Sequence, residues 1–219
     1  MQMNQFCCRL ADFDETNLED ARDAFKHTTP FIFVQPWRSV SEDGFMPGAV
    51  RIGWRDETLF VFAELTDADI FTRASCLNER MWELGDVFEM FVRPVRQEAY
   101  YEFHVTPNNQ RLQLRFPSTE ALRDAQFRSQ FQPFMIEGDA IRSATWVLPD
   151  IRLWVALARI PAASVCEAAL PLSGSQWRFS FSRYDYTRGR ERPIVSSVSP
   201  HRTPDFHSQT EWFTLEFLS

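Results

Sequence analysis

The chain has little glycine, a single lysine, few cysteines and no long apolar run, and each shortage excludes a class of protein. Seven Gly beside 13 Pro rule out collagen-like and low-complexity architectures. A membrane-spanning helix needs about 18 or more consecutive apolar residues, and no window supplies them. Cys7, Cys8, Cys76 and Cys166 include two sequence neighbours and show no CxxC or Cys/His spacing, which suits neither a disulfide framework nor a zinc site. The basic residues are Arg apart from Lys26, and a net charge of −7 speaks against a groove that tracks nucleic-acid phosphates. The first ten residues lack a positive segment followed by an apolar one, so no secretory signal is read there. A reducing, cytoplasmic setting is the expectation, with an extracellular role left open.

What the chain does have is aromatic mass: 21 Phe, 7 Trp and 4 Tyr among 219 residues, with 44% hydrophobic residues overall. That is ample for one core in one domain. From residue 31 onward, short segments of period-two alternation or continuous apolar character recur between turn residues. They predict strands at 31–34, 49–54, 59–66, 86–92, 100–106, 111–116, 151–159, 177–184 and 212–218. Helices are expected only at 17–25, capped by Asn17, and at 118–127, capped by Ser118. The fold class that follows is all-β, a two-sheet antiparallel β-sandwich with one or two short helices. Residues 1–44 form an extension packed on or preceding the sandwich proper at 45–219.

Segment 59–66 is apolar on both faces, broken only by Glu64, and belongs in the middle of a sheet covered on both sides. Segment 100–106 differs. Tyr101, Phe103 and Val105 alternate with Tyr100, Glu102, His104 and Thr106, so one face is dry and the other combines acid, imidazole and phenol. Such a face suits either a polar ligand or solvent. Trp54, Trp146, Trp154 and Trp177 sit in or beside strand patterns and are read as structural. Trp82 instead lies in a polar loop after Asn78-Glu79-Arg80, where a large aromatic serves as an apolar platform.

Catalytic signatures are missing: HExxH, GxSxG, GxxxxGK[ST] and a strand-linked GxGxxG do not occur. No carboxylate pair is placed by spacing for glycoside hydrolysis. No metal site is expected, although Asp67 and Asp69, just after a strand, are weak calcium candidates.

Several stretches together resemble a known family. They are Trp54 with Leu59–Asp67, then Trp82-Glu83-Leu84-Gly85-Asp86-Val87-Phe88-Glu89-Met90-Phe91, Tyr101-Glu102-Phe103, Ile160-Pro161, Phe179–Asp185, and Pro204-Asp205-Phe206-His207 before Trp212-Phe213-Thr214-Leu215. In that order they are similar to the family 9 carbohydrate-binding module, within the DOMON-like jelly-roll sandwiches, over residues 45–219. The resemblance implies non-catalytic binding of a mono- or oligosaccharide, with a terminal unit gripped between aromatic walls and a polar rim. It implies Trp82 as the first wall, Glu89 as a hydroxyl-binding acid and His104 as a rim residue, with Ser182 or Arg183 reaching in and Phe206 with His207 at the second wall. Phe206 stands where the family commonly has Trp, and Phe213 where it has Gly. A glycoside hydrolase is the partner the resemblance implies. Three alternatives stay open: a protein-interaction sandwich with a decayed sugar site, a haem-binding relative using Met81 or Met90 with His104 or His207, and a glycoside-processing enzyme using Glu89 with Glu83 or Asp86.

Overall fold

Phe60, Val61, Phe62, Ala63 and Leu65 alternate between two apolar surroundings, and this double burial organises the molecule. The computed structural model describes residues 4–123, 130–168 and 171–218. In chain order the strands are β1 (Asn4–Cys7), β2 (Phe31–Ile32), β3 (Gly48–Arg55), β4 (Thr58–Thr66), β5 (Val87–Pro94) and β6 (Tyr100–Val105). They continue with β7 (Arg111–Phe116), β8 (Arg142–Leu148), β9 (Leu153–Pro161), β10 (Gln176–Asp185), β11 (Ile194–Ser197) and β12 (Phe213–Phe217). One sheet runs β2-β3-β4-β9-β8, and the other runs β1-β12-β10-β5-β6-β7 with β11 paired to the second half of β10. All pairings between these strands are antiparallel except β1 with β12. The chain is therefore the all-β sandwich that its alternation predicts.

The inter-sheet core joins Val61, Leu65, Trp154 and Ile160 of one sheet to Phe88, Met90, Phe103 and Phe181 of the other. On the outside of the five-stranded sheet lies α1 (Leu18–Phe25), capped as expected. The Asn17 Oδ1 accepts the Glu19 and Asp20 amides at 2.9 and 3.2 Å, satisfying two of the orphan donors of the first turn. Phe25 stacks on Phe62 with ring centres 5.3 Å apart, covering β4's second face. Residues 4–32 thus supply α1, the edge strand β1 of the larger sheet and β2 of the smaller one.

The outer face of the seven-stranded sheet is also dry. Val87, Phe91, Tyr100 and Leu114 are buried there beneath Met81, Leu122, Phe134 and Phe206, which come from loops and short helices. The expected helix at 118–127 is found as α2 (Thr119–Arg123), with Ser118 Oγ accepting the Ala121 amide; its residues 124–127 lie outside the described residues. Trp54, Trp154 and Trp177 are buried structural residues, and the four cysteines are free thiols. Among the described residues no helix is long and apolar enough to cross a membrane.

Candidate functional site

The site is set by strand register on β5, β6 and β10. Glu89 pairs directly with His104 across β5–β6 and with Ser182 across β5–β10. Alternation then brings Glu102 and Tyr184 to the same outer face. His104 Nε2 lies 2.5 Å from Glu102 Oε1 and 3.2 Å from Glu89 Oε1, and the three side chains are only 0%, 6% and 4% exposed. His207 completes the group from the C-terminal loop. Its Nε2 is 3.6 Å from Glu102 Oε2, and its Nδ1 is 2.9 Å from the Tyr100 hydroxyl. Glu102 Oε2 is buried with no hydrogen-bond partner, as is Ser182 Oγ.

Burial and neighbours shift these groups in opposite directions. Glu89 is pushed up to about 8, first by burial, against the pull of His104 and with the push of Glu102. Burial also disfavours the Glu102 carboxylate, yet His207 and the His104 hydrogen bond prevail and hold it below the usual range. For His104, burial is outweighed by Glu89 and Glu102, which raise it. Burial thus favours the protonated form of Glu89, while the neighbours favour the charged forms of Glu102 and His104.

Above the floor these groups form is a cavity of about 200 Å³ with aromatic walls. Trp82 stands on a single 3-10 turn (Met81–Glu83), its ring edge-on to His104 at 5.5 Å and to Phe131 at 5.0 Å. Phe206 and Tyr184 lie against each other at 6.1 Å on the lining, and Asp205 and His207 contribute the polar rim. A second cavity of about 440 Å³, lined by Thr119, Leu122, Arg123 and Ser208, shares Phe131, Pro204, Asp205 and His207 with it. A larger cavity, about 560 Å³, is at the other end of β5 and β10 around Pro94, Gln97, Cys166 and Trp177; among the described residues no buried carboxylate or imidazole lines it, so its size alone carries no function.

Trp82's loop is held by a second buried cluster. Gly85 has φ +147°, and a Cβ there would sit 2.6 Å from both the Phe71 carbonyl oxygen and Thr72 Cα, so only glycine fits this crossing. Asp86 accepts the Phe71 and Tyr186 amides at 2.6 and 2.8 Å, and the Tyr186 hydroxyl donates to the Trp82 carbonyl. Asp86 gathers with Asp67 and Asp185 around the Arg183 guanidinium, which reaches Asp67 and Asp185 at 3.1 Å each. Burial, then Asp67, pushes Asp86 up to about 8; Asp185 rises to about 6, again through burial first.

The structure thus brings Trp82, Glu89, His104, Phe206 and His207 together and leaves Arg183 out. Arg183 neighbours Ser182 in sequence, but strand alternation turns it to the sandwich interior, where it spans from one sheet to Asp67 beyond the other. Asp69 pairs with Arg188 rather than joining Asp67's cluster. In that cluster Asp67 uses one oxygen on the Asp69 amide and the other on Arg183, so the chain provides its own cation there. Met90 lies in the inter-sheet core, opposite His104, so the two cannot be axial partners of one haem. Glu83 pairs with Arg80, and Asp86 gathers with Asp67 and Asp185 rather than with Glu89. Sequence reasoning put Glu102 on the polar face of segment 100–106 without assigning it a role, and it did not assign Tyr184 or Phe131 to the site. The first two share the parity of His104 and Ser182, a signal that was available; Phe131 lies in no periodic pattern.

No family model matches the chain, and no curated protein matches it. Solved structures do. A candidate carbohydrate-binding protein from Bacteroides uniformis superposes with a TM-score of 0.75 at 16% identity, covering 99% of this chain and 100% of that one. A family 9 carbohydrate-binding module from Caldicellulosiruptor kristjanssonii in complex with cellotriose gives 0.67 at 13% identity, covering 99% and 94%. The same organism's family 9 module in complex with glucose gives 0.64 at 13%, covering 98% and 95%. The fold is that of carbohydrate-binding β-sandwiches. In particular it is the fold of the family 9 modules, as the ordered motifs from Trp54 to Trp212 imply.

Proposed function

We propose that the protein is a non-catalytic carbohydrate binder that holds a terminal sugar unit in the cavity over Glu89 and Glu102. The observation that carries this reading is the division of the cavity itself. Trp82, Phe131, Tyr184 and Phe206 give it apolar walls, while buried acid, carboxylate and imidazole form its floor. A sugar ring has the matching division, with apolar C–H faces and hydroxyls around its edge. Glu102 Oε2, buried without a partner, accepts a hydrogen bond from a sugar hydroxyl, and protonated Glu89 donates one to another.

Size supports recognition of one unit at a time. About 200 Å³ lies below the range of about 300–1,000 Å³ typical of drug-sized ligands. The adjoining cavity past Asp205 and His207 gives the next unit a direction to continue. The bound glucose and cellotriose of the two family 9 modules are consistent with ligands of this kind. Isothermal titration with glucose, cellobiose and cellotriose tests the reading. Saturable binding that weakens at least tenfold in Glu102→Gln supports it, and no heat with any neutral sugar on the folded protein refutes it.

A further inference from the structure

We propose that Glu89, Glu102 and His104 form a binding site for a first-row divalent cation of the manganese or zinc class, at the base of the cavity. The inference stands on the geometry of this chain and does not rest on the carbohydrate reading.

The three side chains turn ligand atoms towards a common point. The Glu89 and Glu102 oxygens and the His104 nitrogen all lie within 4.8 Å of one another, and His104 Nε2 is 3.2 Å from Glu89 Oε1. Ligands held at about 2.0–2.2 Å from one ion, at tetrahedral or octahedral angles, stand about 3.0–3.5 Å apart. The Glu89 edge already has that length. The Glu102 edge, at 2.5 Å, opens by less than one ångström to match it.

On the Glu102 side a neighbouring group is placed to support a bound ion. A carboxylate that ligates a metal is commonly hydrogen-bonded through its other oxygen. Glu102 Oε2 is that second oxygen: it is buried, has no hydrogen bond, and faces His207 Nε2 at 3.6 Å. The Tyr100 hydroxyl, 2.9 Å from His207 Nδ1, fixes the imidazole in place. Glu89 and Glu102 both line the cavity, which gives an ion an entry path and leaves coordination positions open to water or a ligand hydroxyl. Two carboxylates balance a dication with His104 neutral, so the loaded floor carries no net charge. Two oxygens, one imidazole and no thiolate favour manganese or zinc over soft monovalent copper. The buried Asp67, Asp86 and Asp185 differ, because the cation among them is a guanidinium that cannot give up its proton, whereas the His104 imidazole can do so and become a ligand.

The test uses the full chain stripped with chelator and titrated with Mn²⁺, an ion with little taste for the exposed thiols of Cys8 and Cys76. Loss of the free-ion electron paramagnetic resonance signal counts bound Mn²⁺, and Zn²⁺ is then added as competitor. The expected result is one Mn²⁺ per chain, displaced by Zn²⁺. Affinity falls at least about 100-fold in Glu102→Gln and about tenfold in His207→Gln, which leaves every ligand in place. Circular dichroism melts accompany each variant, and half-buried His207 gives a substitution the fold tolerates if Glu102→Gln does not fold. No stoichiometric uptake by the folded wild type overturns the proposal, as does uptake that neither variant weakens. Sugar titrations on the stripped and loaded protein keep the two readings apart. Sugar binding without metal uptake removes only the metal site, and uptake without sugar binding removes only the carbohydrate reading.

Discussion

Replacing Arg183 with Met removes the buried guanidinium from a cluster of three buried carboxylates, and the structure fixes what that costs. The Arg183 and Asp67 side chains are 1% and 0% exposed, and Asp185 is 7% exposed. Met fills much of the aliphatic volume, so the loss is electrostatic: Asp67 and Asp185 are left without their 3.1 Å partner. Breaking a buried pair by removing one member costs about 3–5 kcal/mol. For a chain of this length, about 2–4 °C of melting temperature goes with each kcal/mol, so the melt should fall by roughly 6–20 °C at pH 8. Asp185, already raised to about 6, can escape by taking up a proton, so the deficit should shrink at pH 5. Thermal denaturation followed by circular dichroism at both pH values is the assay. A variant melting within about 2 °C of wild type at pH 8 would refute the reasoning. Because Arg183 faces away from the cavity, sugar affinity in the folded variant should match wild type, against the sequence-based expectation that it touches ligand.

Wild-type stability should itself decline in alkali. The folded-state pKa of Asp86 is raised to about 8 and that of Asp185 to about 6, so their contribution is complete below the ordinary aspartate range and is lost as pH rises through those values. Glu89 and His104, both raised, act in the same direction. Melting temperature should fall between pH 6 and pH 9, and the decline should be shallower in Asp86→Asn; an equal slope would contradict the assignment. Gly85→Ala should cost about 1–3 kcal/mol through its clash with the Phe71–Thr72 backbone and should loosen Trp82, seen as a red-shifted tryptophan emission.

Much of the fold was legible because its strands have distinct faces. The continuous apolar run of β4 announced a strand covered on both sides, and α1 supplies the second cover. The alternation of β6 separated Tyr101, Phe103 and Val105 from Glu102 and His104 before any partner was known. Three strands escaped notice for physical reasons. Strand β8, Arg142–Leu148, is a half-exposed sheet edge, so burial imposes no clean alternation on it. Strand β1 is a short parallel addition to β12, more than 200 residues away, and nothing local marks such a partner. Strand β11, Ile194–Ser197, has four residues. At the site, His104 was read as a strand residue on the polar face of β6, and Glu89 was named through the resemblance to the family 9 modules. That His207 and Glu102 meet, and that Phe131 touches Trp82, depends on loops whose paths no periodicity records. Arg183 was misplaced by one residue of parity, the smallest error a strand permits and one that moves a side chain to the opposite face.

The central claim is that a sugar binds against Trp82. Tryptophan fluorescence titration with glucose and cellobiose, run on wild type beside Trp82→Ala, tests it most directly. A disaccharide of about 23 heavy atoms at about −0.3 kcal/mol each gives about −7 kcal/mol, a dissociation constant near ten micromolar. The account predicts saturation in that range for wild type and a loss of about 1–3 kcal/mol, roughly 5- to 150-fold, in Trp82→Ala, read by calorimetry where the fluorescence signal is lost. Unchanged affinity in the folded variant would contradict it.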